Sequence, residues 1–200
     1  VAKAGDTMTG QLIINTAPTA LTAIGNISTT GQYMIAGSTI LKSDYPHSNI
    51  LLGLRAGNLC AETSCIGNVA IGYDARKVMT GAFSSNNVIV GINAAPLFSG
   101  GDRNVFVGAN VAESATAGDN NICIGTDETC ERLEAGSISN IMVGYQTGSH
   151  ITIGEENTCV GDGSCETMSD DVWNTVYGSG AGISMYGSSN TAVGCLAGSN

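Results

Sequence analysis

Charged residues, prolines and aromatic residues are all scarce in this chain. Of its 200 residues, 12% are charged, 5% are aromatic and only 3 are proline. A disordered chain would carry more charge, and a collagen would repeat glycine at every third position, so neither class fits. No apolar run approaches the roughly 20 residues that span a bilayer, and the N-terminal residues lack an apolar signal-peptide segment. We therefore expect an ordered protein that does not insert into a membrane.

Basic residues are few as well. Seven lysines and arginines stand against 17 aspartates and glutamates, which gives a formal net charge of −10. Such a surface repels phosphate backbones and anionic lipid headgroups. Nucleic acid is therefore not an expected partner.

Cysteine occurs seven times, an odd number, and histidine only twice. No paired CxxC or Cys/His zinc spacing is present, and His47 and His150 are far apart in sequence. We predict no metal and no cofactor. We interpret the cysteines as buried thiols, kept reduced in the cytoplasm where the chain is made, with a disulfide framework as the alternative. They are Cys60, Cys65, Cys123, Cys130, Cys159, Cys165 and Cys195.

Glycine is abundant, at 28 residues, and nine of the glycines end copies of one motif. Each copy consists of asparagine, three mainly apolar residues and glycine, and successive glycines are 16 to 19 residues apart. Such a period indicates a repeat protein. The copies are Asn49–Gly53, Asn68–Gly72, Asn87–Gly91, Asn104–Gly108, Asn121–Gly125, Asn140–Gly144, Asn157–Gly161, Asn174–Gly178 and Asn190–Gly194.

The three residues between asparagine and glycine predict a short β-strand. The first and third are mostly β-branched, as in Val69 and Ile71, and they share one strand face. The central residue is apolar but varies from Ala70 to Phe106. Strands that are apolar on both faces stack in parallel inside an assembly. The sequence therefore predicts an all-β protein, a parallel β-roll or β-helix-like solenoid with nine rungs over residues 49–200.

Other positions of the repeat predict its turns. The asparagines indicate either a side-chain amide ladder between rungs or simple turn chemistry. Small residues three positions after the glycine, such as Ala94 and Ala181, predict a second, tight turn. The 11 to 14 polar residues between rungs predict a return leg with exposed loops. Residues 1–48 lack the motif and are interpreted as a shaft or connector with short strands at Gln11–Asn15, Tyr33–Ala36 and Ser38–Leu41.

The variable central residues raise a packing problem. A single thin coil offers little room to bury Ile89, Phe106 and Met142. We expect an intertwined or side-by-side homotrimer, in which a shared axis covers these side chains and closes the exposed strand edges.

Two stretches resemble known fibrous proteins. The opening Ala4-Gly5-Asp6-Thr7-Met8-Thr9-Gly10-Gln11-Leu12 is similar to the GDTMTG-x-L element of phage tail fibres, and the repeats resemble both phage fibre repeats and the head of YadA-type trimeric adhesins. Both families are trimeric and bind surfaces. YadA-type heads have a shorter repeat and continue into a neck and a heptad stalk, which this sequence lacks. Both families usually place alanine where this chain has Phe106 and Met142.

The resemblance implies a structural and host-recognition segment of a phage tail fibre or tail spike. It would be made in the host cytoplasm and carried on the virion, with other tail proteins and a host surface glycan or outer-membrane protein as partners. A bacterial trimeric adhesin head is the alternative. A capsule depolymerase is less favoured, because such a groove needs facing carboxylates and aromatic platforms, and Trp173 is the only tryptophan.

We predict no catalytic residues. The acidic residues, which include Asp127, Glu131, Glu155 and Asp170, are interpreted as a solvated face. Aromatic and polar residues off the motif are receptor-binding candidates, since such side chains dominate recognition surfaces. They are Tyr145, His150, Trp173 and Tyr186, with Phe83 and Phe98 as further candidates.

Overall fold

The computed structural model describes residues 32–35, 38–44, 48–57, 65–77 and 84–199, with side chains from residue 48 onward. These residues all belong to the unit Gly31–Asn200. The predicted strand Gln11–Asn15, together with Phe83 and Cys60, lies outside them. The described part has no helix long and apolar enough to cross a bilayer.

Eleven strands of the described residues form one sheet, and they follow one another in chain order. Strands β1 (Gln32–Ile35) and β2 (Ser38–Asp44) are antiparallel to each other, and β2 is antiparallel to β3. From β3 onward the strands are parallel, which confirms the nine predicted rungs. They are β3 (Asn49–Leu52), β4 (Val69–Ile71), β5 (Val88–Val90), β6 (Val105–Val107), β7 (Ile122–Thr126), β8 (Ile141–Tyr145), β9 (Thr158–Val160), β10 (Thr175–Tyr177) and β11 (Thr191–Val193).

The register of the rungs follows the motif. Ala70 pairs with Ile89, Ile89 with Phe106, and Phe106 with Cys123. Equivalent positions therefore lie above one another along the whole solenoid. The repeat sets this register because a one-residue slip would move every buried side chain to the opposite face.

The central residue of each strand points into the coil. Ile89, Phe106 and Met142 are fully buried within the single chain. Our expectation that these side chains need a partner subunit is therefore wrong. The return legs, expected to be polar and exposed, supply the opposite wall of the core, since Leu133 and Met168 are also fully buried.

Phe98 shows how a return leg completes this core. It is fully buried, and its ring packs edge-on against Phe106 with 5.0 Å between the ring centroids. The guanidinium of Arg76 lies over the same ring, 5.9 Å from its centroid. Phe98 is thus a core residue, and its selection as a receptor-binding candidate is wrong.

The repeated asparagines form an amide ladder, the first of the two alternatives that the sequence left open. In all eight steps, one asparagine donates both its backbone N–H and its Nδ2 to the Oδ1 of the asparagine one rung before. Asn87 also donates Nδ2 to the carbonyl oxygen of Gly101 on the return leg, at 3.0 Å. This bond connects the corner before β5 to the return leg that follows β5 in the chain.

The motif glycines allow neighbouring coils to approach closely. A Cβ on Gly72 would lie 2.1 Å from the carbonyl oxygen of Gly91, and a Cβ on Gly108 would lie 1.5 Å from that of Gly125. Both glycines also have φ near +135°, a region that other residues rarely adopt. No larger residue fits at these two glycines, whereas Gly194, on the last rung, would place a Cβ no closer than 3.9 Å to a neighbour.

Two disulfides cross the interior, which corrects the prediction of reduced thiols. Cys123 bonds to Cys130 and Cys159 bonds to Cys165. Each joins the central strand position to the second turn of the same coil, so the two sulfurs meet across a narrow core. Cys195 is exposed, contrary to the expectation that it would be buried. Cys65 is buried.

Candidate functional site

One side of the parallel sheet faces away from the core. It consists of the two residues that flank each central residue, and we call it the outer sheet face. These side chains are half-buried or exposed, as Ile50 at 51% and Ile124 at 41% show. Its members are Ile50, Leu52, Val69, Ile71, Val88, Val90, Val105, Val107, Ile122, Ile124, Ile141, Val143, Thr158, Val160, Thr175, Tyr177, Thr191 and Val193.

The outer sheet face carries no charged residue, although the chain as a whole has 24. Eight rung spacings make it about 38 Å long. It is wholly aliphatic through β8, and threonine enters at Thr158, Thr175 and Thr191. An uncharged, largely apolar surface of this length is unusual for a monomer, and exposed apolar patches of this kind are typical of interaction surfaces.

Among the described residues from 48 onward, charge is confined to the corners and return legs. Arg55 and Asp74, on successive coils, form an ion pair with 2.6 Å between Nε and Oδ1. Glu128, Glu134 and Glu156 are exposed to solvent, as predicted for a solvated acidic face. The corners and legs are not purely polar, since Ile92 and Ile153 are also exposed there, but only the outer sheet face is free of charge.

The receptor-binding candidates occupy several parts of the coil. Tyr145 ends β8 and is 46% exposed, Trp173 lies at the corner before β10 and is 59% exposed, and Tyr186 lies on a return leg and is 75% exposed. His150 is exposed in a second turn, where its Nδ1 lies 2.7 Å from the carbonyl oxygen of Glu166. The four therefore belong to different corners and legs, and they do not form a single cluster on one segment.

No protein-family model, curated protein or solved structure matches this chain. Within the described residues, no three His, Cys, Asp or Glu side chains gather in a way that could hold a metal ion.

A further concave surface escaped the sequence analysis. It is a groove of about 530 Å³ lined by residues from four successive coils, among them Lys77, Asn93, Leu97, Glu113 and Glu131. These residues lie in the variable segments between motifs, so the repeat itself gives no signal for them. Only the stacking of coils brings them together.

Proposed function

We propose that this chain is a structural and host-recognition segment of a phage tail fibre, assembled as a homotrimer through its outer sheet face. The observation that carries the proposal is the uncharged, largely aliphatic face that runs the length of nine rungs. A partner for such a face must be equally long, straight and apolar. A second and a third copy of the same chain meet these requirements.

Threefold closure also agrees with the geometry of the rungs. Parallel rungs stacked in register present the same face at every level, so three copies can pack side by side around one axis. Burying the Val and Ile side chains would remove apolar surface worth roughly 25 cal/mol per Å² from water. The acidic corners would remain outside, where they keep the fibre soluble.

The bonding between coils favours a stiff rod. The amide ladder repeats over eight steps, and close contacts between glycines such as Gly72 and Gly91 hold the backbones together. A rod of this kind holds a recognition surface away from the particle that carries it. We propose no catalytic role for it.

Recognition is assigned to the exposed residues on the corners and legs. Trp173 and Tyr186 are large, exposed side chains that offer contact area at low entropic cost. The partner proposed for them is a host surface glycan or outer-membrane protein, with other tail proteins joining the segment to the virion.

A trimeric surface adhesin is the second candidate, and the disulfides favour it. Cys123–Cys130 and Cys159–Cys165 form and persist in oxidising surroundings, which a protein exported to the cell surface meets during maturation. In a virion fibre the same bonds would form after release from the reducing cytoplasm. Both candidates predict the same trimer.

Two measurements test the proposal. Light scattering of the purified chain is expected to give three times the 20.2 kDa of one chain, and a stable monomer would overturn the assembly. Immunogold labelling with an antibody to the chain is expected on phage tails. Labelling of bacterial cell surfaces in the absence of phage would overturn the phage-fibre function and favour the surface adhesin.

A further inference from the structure

We infer that the two buried disulfides form a redox switch that is gated by the opening of the coils around them. Three coils are involved, and they begin with β7 (121–139), β8 (140–156) and β9 (157–173). Cys123–Cys130 crosses the β7 coil and Cys159–Cys165 crosses the β9 coil. Each chain keeps the redox state in which its coils closed until these coils open. The inference is the same for a virion fibre and for a surface adhesin.

The four sulfurs are closed off along the axis of the solenoid. All four cysteines are fully buried. Cys123 pairs in register with Phe106 on one side and Met142 on the other, and Cys159 pairs with Met142 and Val176. These three neighbours are also fully buried. A thiol or disulfide reagent therefore cannot approach the sulfurs through the interior.

The turns that carry the second cysteine of each pair are bonded to the following coil. The backbone N–H of Cys130 donates to the carbonyl oxygen of Thr147 at 3.0 Å, and that of Cys165 donates to Ala181 at 3.0 Å. Cys130 Sγ also lies 3.1 Å from Met142 Sδ, on the β8 coil. Exposing either sulfur pair therefore requires breaking contacts between neighbouring coils.

The chemistry of exchange makes this opening necessary. With glutathione disulfide as oxidant, one cysteine thiolate attacks a glutathione sulfur and forms a mixed disulfide, which releases one glutathione thiolate. The second cysteine thiolate then attacks the protein sulfur of the mixed disulfide, closes the protein bond and releases the second glutathione. The protein pair is oxidised by two electrons and glutathione disulfide is reduced by two.

The closed core has no room for that mixed disulfide. Next to the first bond, a Cβ on Gly148 would already lie 2.4 Å from Met142 Sδ. A glutathionyl group on Cys123 or Cys130 is much larger than a methyl group. Reduction by a small thiol passes through the same kind of intermediate, so opening of the coil gates both directions.

Opening is less frequent in the oxidised state. Each bond joins residues only 7 or 6 positions apart and lowers the entropy of the opened coil. Because coils of a solenoid contact only their neighbours, the opening is confined to the coils around each bond. Oxidation outside the cell therefore proceeds at the opening rate of the reduced coils, and its reversal is slower.

Two preparations of the whole chain test this inference. Chain made in a reducing cytoplasm should carry both pairs as thiols, and chain exported to an oxidising periplasm should carry both bonds. Bonds in the first preparation, or thiols in the second, overturn the inference. The reduced chain is then treated with glutathione disulfide and the oxidised chain with dithiothreitol, each in buffer and in concentrated urea. Mass spectrometry after alkylation follows each pair.

The rates in buffer and in urea measure the gate. We expect both reactions to be slower in buffer by about a hundredfold or more, and reduction to be slowed about tenfold more than oxidation. The exposed thiol of Cys195 reports the effect of urea on the chemistry itself. Equal rates in buffer and urea, after that correction, overturn the gate. Equal slowing of the two reactions overturns the preference for the oxidised state.

Matched cavity variants locate the gate. Met142→Ala removes the side chain between the two bonds and should speed reduction of both pairs in buffer about tenfold. Ile89→Ala removes an equally buried side chain two coils before Cys123 and should leave both rates unchanged. Circular dichroism checks the folding of both variants, and Met142→Val replaces Met142→Ala if that variant unfolds. No acceleration at Met142, or equal acceleration by both variants, overturns the local gate.

Discussion

The side-chain oxygen of Asn87 accepts two hydrogen bonds from Asn104, each at 2.9 Å, one from the backbone N–H and one from Nδ2. Asn104 in turn accepts the same pair from Asn121. A single residue type therefore satisfies a buried backbone donor on each rung and also fixes the spacing to the next rung. This explains why asparagine is present in all nine copies of the motif.

Replacing Asn104 should show the cost of interrupting the ladder. Asn104→Ala leaves the backbone N–H of Asn121 and the carbonyl oxygen of Gly118 without their partners. We expect the free energy of unfolding to fall by about 3 kcal/mol, since each stranded buried group costs about 1 to 3 kcal/mol. Urea denaturation followed by circular dichroism measures it.

The last rung provides the matched control. Asn190 is partly exposed and donates to Asn174, but no described asparagine stacks on it in turn. Asn190→Ala should therefore cost about 1 kcal/mol, the typical net worth of a hydrogen bond. If Asn104→Ala and Asn190→Ala lowered the free energy of unfolding equally, the cost would not come from buried groups left without a hydrogen-bond partner.

Motif glycines that have another coil stacked on them should tolerate no side chain. A Cβ on Gly108 would lie 1.5 Å from the carbonyl oxygen of Gly125, whereas a Cβ on Gly187 would meet nothing within 4 Å. Both glycines have positive φ, so backbone strain of about 1 to 2 kcal/mol is common to both alanine variants. We expect Gly108→Ala to give insoluble or unfolded chain and Gly187→Ala to stay folded. Circular dichroism and soluble yield measure this, and a soluble, folded Gly108→Ala would contradict the close approach.

The repeat was sufficient to predict the rungs and their register, because both are local to the motif, whereas for the asparagines it left an amide ladder and simple turn chemistry as alternatives. The direction of the central residues could not be predicted in the same way. Phe106 is buried against Phe98, which lies on a variable return leg. Because Phe98 is not part of the motif, the repeat gives no indication of this contact. The groove near Glu131 escaped prediction for the same reason, since its residues converge from four coils.

The disulfides were missed because the relation between two positions of the coil was not recognised. Cys159 and Cys165 occupy the central strand position and the fourth position after Asn157's glycine, Gly161. In other coils the same two positions hold Met142 with Gly148 and Val176 with Gly182. A Cβ on Gly148 would lie only 2.4 Å from the sulfur of Met142. In these three coils a large central residue therefore faces glycine and cysteine faces cysteine, whereas Ile89 and Phe106 have alanine at the same position, Ala95 and Ala112.

This relation predicts that a third disulfide can be introduced. Gly148 has φ +60°, close to the +55° of Cys165 and the +56° of Cys130. The double variant Met142→Cys with Gly148→Cys should therefore form a bond without moving the backbone. Mass spectrometry of unreduced peptides should detect it, with Met142→Cys alone as the control. Alkylation of both new thiols in the folded, oxidised protein would contradict the facing arrangement.

The outer sheet face yields the prediction that separates assembly from folding. Val107 is half-buried on this face, whereas its neighbour Phe106 points into the core and is fully buried. In a single coil Val107→Asp keeps its carboxylate in contact with water, so the coil should fold. In a trimer packed through this face the same carboxylate would be buried without a partner, which costs several kcal/mol. We expect Val107→Asp to give a folded monomer by light scattering and circular dichroism, and Phe106→Asp to give unfolded chain. If Val107→Asp still forms the trimer of the unmodified chain, the subunits meet through another surface, and the outer sheet face must be assigned to a different partner.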